Sequence, residues 1–214
     1  MTGRLRLGTS RDRASYMMPR LLCAFASRYP GISVEVFTES SKRLKEALLS
    51  GRVDMVLLPA GWKEPELRAQ TIYTEELVLA AKAGTIPESA RLEKSIIRLK
   101  ALNGMPFFLL FQEHASRIFC DAFFKRHRIH PKVKMEFASN ITCYRMAAAG
   151  MGITIIPFLT TQMSTVENVE LFSLGEKPET WDVQIFYRRG AYIGQPELEL
   201  IEIAKDLFIN ETLG

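Results

Sequence analysis

An α/β fold built on parallel sheet, arranged as two lobes, is predicted by three observations. Short apolar strands alternate with helices of amphipathic spacing along the whole chain. The first sixty residues follow the order β-α-β-α-β, which implies a parallel sheet with right-handed crossovers. A second α/β series of similar make-up then begins, with no low-complexity linker before it. The length agrees: 214 residues, 47% hydrophobic and 24% charged, suffice for two lobes of about 100 residues with real cores.

The elements follow in order. Arg4-Leu5-Arg6-Leu7 alternates with period two and breaks at Gly8-Thr9-Ser10. Met17, Met18, Leu21, Leu22 and Phe25 recur at helical spacing, predicting a helix over 14–28 with Pro19 in its first turn or two. Ile32, Val34 and Val36 mark a second strand. Ser40-Ser41 caps a helix that runs to Ser50 and stops at Gly51. The continuous apolar run 54–58 reads as a strand covered on both faces.

After a polar stretch, 76–81 is a strand. Strands are predicted at 107–110, 133–137, 153–156 and 183–187, and helices at 116–128 and 139–149. A last helix covers 197–209 with Leu198, Ile201, Leu207 and Phe208 inward.

The sequence offers little catalytic chemistry. No GxSxG, GxGxxG, GKT/S or HExxH motif occurs, and Glu75-Glu76 and the acids of 197–202 read as exposed faces. His114, His127 and His130 lie in or beside a basic segment, Lys125 to Lys132, which reads as a solvated helix C-terminus. Cys23, Cys120 and Cys143 are far apart and form no metal or disulfide pattern. A formal charge of +4, spread over 28 basic and 24 acidic residues, does not by itself indicate nucleic acid. No run approaches the roughly 18 apolar residues of a membrane span, and a cytoplasmic location is expected. The expectation is a binding module, not an enzyme, with no cofactor, no metal and no membrane partner.

Three segments carry a family resemblance. They are Leu5-Arg6-Leu7-Gly8 with Tyr16 to Leu22, Phe25, Tyr29-Pro30 and Glu39; Leu44 to Leu48 through Gly51 to Val56; and Ala147-Ala148-Ala149-Gly150-Met151-Gly152-Ile153-Thr154-Ile155-Ile156-Pro157. In register over nearly the whole chain, they resemble the effector-binding domain of LysR-type transcriptional regulators. The resemblance implies two Rossmann-like lobes joined by two crossover strands, 76–81 and 183–187, of the periplasmic-binding-protein type 2 kind. Lobe I then comprises 1–81 and 189–214, and lobe II 82–188. It further implies a small-molecule effector, such as a carboxylate, in the inter-lobe cleft. The chain is expected to form a homodimer, with a tetramer in the full-length regulator, and to meet DNA only through an N-terminal winged helix-turn-helix absent from this chain. A stand-alone solute-binding protein, or an enzyme on the same scaffold, are the alternatives.

In open α/β sheets, ligands sit at the carboxyl ends of strands, where helix N-termini offer N–H groups. The candidate contacts are therefore Thr9, Ser10 and Arg11, then Ser40 and Ser41, Ala60, Phe111 and Gln112, and finally Ser139 and Asn140. Each hydroxyl or amide also reads as an N-cap, evenly so for Ser41 and Ser139, while for Thr9 and Ser10 the resemblance favours contact; Phe111 reads as a wall or as core. Arg11 and Arg145 are the charges best placed for an anionic effector or are plain surface residues. Met17, Met18 and Met151 read as core or interface filler, and Asp54 as structural. The first helix with its following edge strand, and the helix at 116–128, carry the surplus apolar surface expected to meet in a dimer.

Overall fold

The computed structural model describes residues 2–208. The chain forms two compact units, one from residues 2–74 and 181–208, the other from Glu75–Thr180. The divisions fall inside the two connecting strands, not at 81 and 188.

The first unit opens with β1 (Gly3–Thr9), α1 (Arg11–Arg28), β2 (Ile32–Thr38), α2 (Ser41–Leu49) and β3 (Met55–Pro59). β1 runs parallel to β2, from Gly3↔Ile32 to Thr9↔Thr38, and parallel to β3, from Leu7↔Met55 to Thr9↔Leu57. β3 is buried along its whole length, as its unbroken apolar run requires. β4 (Leu67–Lys82) then leaves for the second unit.

There the chain forms β5 (Arg91–Glu93), β6 (Ile96–Ile97), β7 (Pro106–Leu110), α3 (Ala115–His127), β8 (Lys132–Phe137), α4 (Asn140–Ala148), β9 (Thr154–Pro157), α5 (Leu159–Gln162) and β10 (Val169–Ser173). β7 pairs parallel with β8, while the end of β4 pairs antiparallel with both β9 and β10. β11 (Thr180–Arg188) returns to the first unit antiparallel to β3, and α6 (Gln195–Leu207) follows.

Four departures from the sequence reading have physical causes. First, α1 starts at Arg11, which places Pro19 in its interior. Proline costs about 3 kcal/mol there, but Met17, Met18, Leu21 and Phe25 are all buried around it. Burial of four large side chains outweighs one lost backbone bond. Second, Leu198 is exposed, because α6 buries the stripe Leu200, Ile201, Ile203 and Ala204, with Phe208 beyond it. Third, Glu75 and Glu76 are fully buried. The Ser173 hydroxyl donates to Glu76 Oε1 at 2.5 Å, a partner 97 residues away. Fourth, β5, β6 and β10 carry no clean alternation, and β4 extends nine residues upstream of the apolar run.

The third sequence segment owes its glycines to space. Gly150 has φ +82°, just past the end of α4, and a Cβ on Gly152 would lie 2.6 Å from the Pro106 carbonyl oxygen. β9 therefore enters against β7 only without a side chain at residue 152.

At the amino edge of the first unit, Arg6 and Asp54 fasten β1 to β3. Asp54 accepts from the Arg6 backbone N–H at 2.8 Å, from Nε at 3.1 Å and from Nη2 at 2.7 Å. Burial opposes ionisation of Asp54, but the hydrogen bonds and charge of Arg6 outweigh it and hold the carboxyl below its ordinary value. A depressed folded-state value makes the contribution complete above the unfolded value of about 3.9 and erases it as pH falls through the folded one. Asp54→Asn should thus lower stability by about 1–2 kcal/mol at pH 7, the pair being part-exposed. In urea unfolding, the gap between variant and parent should close as pH drops below about 4. A gap that persists unchanged there would contradict this account.

Candidate functional site

In the first unit, the parallel strands β2, β1 and β3 end side by side, at Thr38, Thr9 and Leu57–Pro59. Right-handed crossovers then bring the N-termini of α1 and α2 to that same edge. Glu39 N–H donates to the Thr9 carbonyl at 3.3 Å, closing the two turns on each other.

The predicted residues here have different fates. Thr9 is fully buried, and its hydroxyl donates to the Leu57 carbonyl at 2.8 Å. It braces β1 against β3 instead of presenting its oxygen. Ser10 is the half-buried N-cap of α1; its carbonyl accepts from Ala14, but its side chain makes no capping bond. The Ser10 hydroxyl has no partner among the described residues, beside the exposed Arg11. Ser40 caps α2 with a long bond, 3.5 Å from Arg43 N–H, and Ser41 is buried in the first turn. Ala60 is exposed just past β3, its N–H donating to the Asp182 carbonyl at 2.7 Å.

The second unit repeats the arrangement with β7, β8, α3 and α4. Phe111 and Gln112 follow β7; both are exposed, so Phe111 is not core. Ser139 caps α4, accepting from Thr142 N–H at 3.3 Å. Asn140 Nδ2 donates to Ser116 Oγ at 3.2 Å, tying the first turn of α4 to that of α3. Arg145 lies five residues along α4, and its Nε donates to Ser164 Oγ at 3.0 Å. It is thereby turned toward the α5 side.

Sequence reasoning missed Arg117. Its side chain is only 10% exposed; Nη1 donates to the Leu110 carbonyl at 2.9 Å and Nε to Asp121 at 2.9 Å, and it pairs with Glu136. Burial opposes the charge, but the two carboxylates more than restore it. Arg117 thus fixes the end of β7, the start of α3 and β8 together, immediately behind Phe111. The only local signal was its place in the first turn of a predicted helix, where a cation opposes the dipole.

The basic end of α3 is paired away from this edge. His127 and Arg126 both approach Glu179, at 3.4 and 2.5 Å. Burial pushes the Cys120 thiol well above its ordinary value, away from nucleophilic use.

The family described as LysR substrate binding domain matches residues 1–208. The chain belongs to that family. Among curated relatives, this LysR substrate-binding domain is 26% identical, over 72% of its length, to the RuBisCO operon transcriptional regulator of Acidithiobacillus ferrooxidans, and covers 48% of that protein. It is 30% identical, over 73% of its length, to the HTH-type transcriptional regulator YybE of Bacillus subtilis, and covers 52% of it. The domain therefore spans about half the length of such relatives. Among solved structures, the CcmR regulatory domain of Synechocystis in complex with 2-PG has the same fold. The TM-score is 0.83, at 23% identity over 96% of this chain and 97% of that one.

The contrast between Thr9 and Ser10 is testable without a ligand. Thr9→Val should lose about 1 kcal/mol of unfolding free energy, because a buried hydrogen bond is removed. Ser10→Ala should change stability by less than about 0.5 kcal/mol, since no cap bond is lost. Chemical denaturation measures both. A Thr9→Val variant as stable as the parent would show that the Leu57 bond is not formed.

Proposed function

We propose that this LysR substrate-binding domain is the sensory part of a longer transcriptional regulator and takes a small anionic effector at its carboxyl strand edges. The observation that carries the reading is the uncommitted hydroxyl of Ser10, the N-cap residue of α1 at the end of the central strand, with Arg11 beside it. The N-terminus of a helix of 18 residues supplies N–H groups and a positive dipole end there. Ser40 and Ser41 adjoin it in the first unit; Phe111, Gln112, Ser139 and Asn140 form the corresponding edge of the second. Thr9 contributes as a brace. A structural neighbour at 18% identity, the effector-binding domain of QuiR, was solved with shikimate, itself a carboxylate. The function is binding and not catalysis. Occupancy reaches DNA through the segment that the longer relatives carry, in a regulator working in the cytoplasm.

Carboxylates and phosphorylated acids should be screened by thermal shift on the 214-residue chain. A true effector at a hundredfold excess over Kd stabilises by about 2.7 kcal/mol. Ser10→Ala and Asn140→Ala should each weaken it about tenfold, as loss of a hydrogen bond to a charged group does. Retention of full affinity by both variants would remove these edges from the site.

The same proposal includes a homodimer, assembling further to a tetramer in the full regulator. Along α1 runs an apolar groove of about 560 Å³, lined by Ala14, Met18, Leu22, Cys23 and, from β2, Val36. β2 is an unpaired edge with Val36 and Phe37 exposed. In the second unit β8 is exposed along nearly all its length, including Val133 and Met135, and Ile118 of α3 stands 59% exposed. Packing the first set on the partner's second set covers both edges twice over. Leu22→Glu with Val36→Glu should convert the dimer to a monomer in light scattering at micromolar concentration. A parent chain that is already monomeric there would overturn the dimer.

A further inference from the structure

The amino edge of the first unit holds a second cavity, far along β1 from Ser10. It encloses about 470 Å³ and is lined by Arg4, Arg6, Asp54, Arg188, Tyr192 and Glu197, with Ala191 and Ile193 completing the wall. That volume lies within the range of small-molecule sites, about 300–1,000 Å³. Here, however, the lining is dominated by charge.

Three guanidinium groups face two carboxylates, and both carboxylates are already used. Asp54 accepts three bonds from Arg6. Glu197 Oε2 accepts from the Gly194 N–H at 3.0 Å, closing the start of α6. The arginines are not exhausted. Arg188 is anchored by Nη1, which donates to the Leu48 carbonyl at 2.7 Å and the Val53 carbonyl at 2.9 Å. Its Nε and Nη2 have no partner among the described residues. Arg6 spends Nε and Nη2 on Asp54 and keeps Nη1. Arg4 gives only Nη1 to Glu35 and is otherwise open to solvent. Two of these side chains are thus held in place by bonds on one side while donors on the other remain unspent. A guanidinium so fixed matches the paired oxygens of a carboxylate or phosphate and loses little entropy on binding one. Tyr192, 92% exposed, stands at the rim as an unpartnered aromatic.

We propose that this cavity is a second small-molecule site, taking an oxyanion, carboxylate or phosphate, independently of the carboxyl strand edge. Arg188 is the central ligand, Arg4 and Arg6 flank it, and Tyr192 packs on the organic part of the molecule. The position gives the site a use of its own. A ligand there bears on the amino-end half of β1, the start of β3, the end of β11 and the start of α6, away from the carboxyl edge.

Amide NMR shifts of the whole chain decide it, with inorganic phosphate and succinate titrated separately at ionic strength held constant by sodium chloride. The expected result is saturable perturbation centred on residues 188–197 and on Arg4 and Arg6. It should weaken about tenfold in Arg188→Gln and in the doubly substituted Arg4→Gln, Tyr192→Ala. The double variant alters only exposed side chains and keeps the fold if Arg188→Gln does not. Ser10→Ala should leave this response unchanged while altering any response at residues 9–11 and 39–41. Saturation with phosphate alone assigns a phosphorylated ligand, and with succinate alone a carboxylate. Perturbation confined to the carboxyl edge, or no response beyond that to chloride, would overturn the second site and leave the first reading untouched. An undiminished response in both variants would overturn it equally.

Discussion

β1 lies parallel between β2 and β3, and much of the first unit is set by how it is held there. At its carboxyl end the buried Thr9 hydroxyl bonds the Leu57 carbonyl; at its amino side Arg6 is pinned to Asp54 by side chain and main chain together. Leu7, between these fastenings, and Leu5, on the amino side of Arg6, enter the core. With register fixed at both ends, right-handed crossovers leave α1 and α2 no choice but to start at the same edge. The place of the candidate ligand groups follows from that geometry.

The second unit meets the same requirement with different residues. Thr154 repeats the brace of Thr9, its buried hydroxyl donating to the Phe108 carbonyl at 2.9 Å. Arg117 fixes the turn after β7, and Gly152 removes the side chain that would hold β9 away from Pro106. A hydroxyl that looks like a ligand contact in the sequence can therefore be a brace. The distinguishing mark is burial, which a strand-end position does not reveal.

Each parallel sheet has two edges of opposite electrostatic character. At the carboxyl edge, helix N-termini supply partial positive charge through the backbone. At the amino edge of the first unit the start of α6 lies beside the cavity, but the lining there is chiefly charged side chains. The cationic ones are Arg4, Arg6 and Arg188, the last reaching the cavity because β11 runs antiparallel to β3 and ends beside its start.

Apolar period and punctuation alone determined the order of the main elements, the caps at Ser40 and Ser139, the stop at Gly51 and the edge to which candidate ligand groups belong. These are local properties, decided by side chains within a turn or a few residues of one another. The tertiary structure decided what depends on distant partners. Glu76 is buried because Ser173 comes to it, and Pro19 is tolerated because a buried face surrounds it. Leu198 turns outward because the stripe of α6 is set by its packing, and β10 becomes a strand between β4 and β6. In each case the free energy that fixes the residue lies in a contact the chain makes after folding, where no local pattern records it.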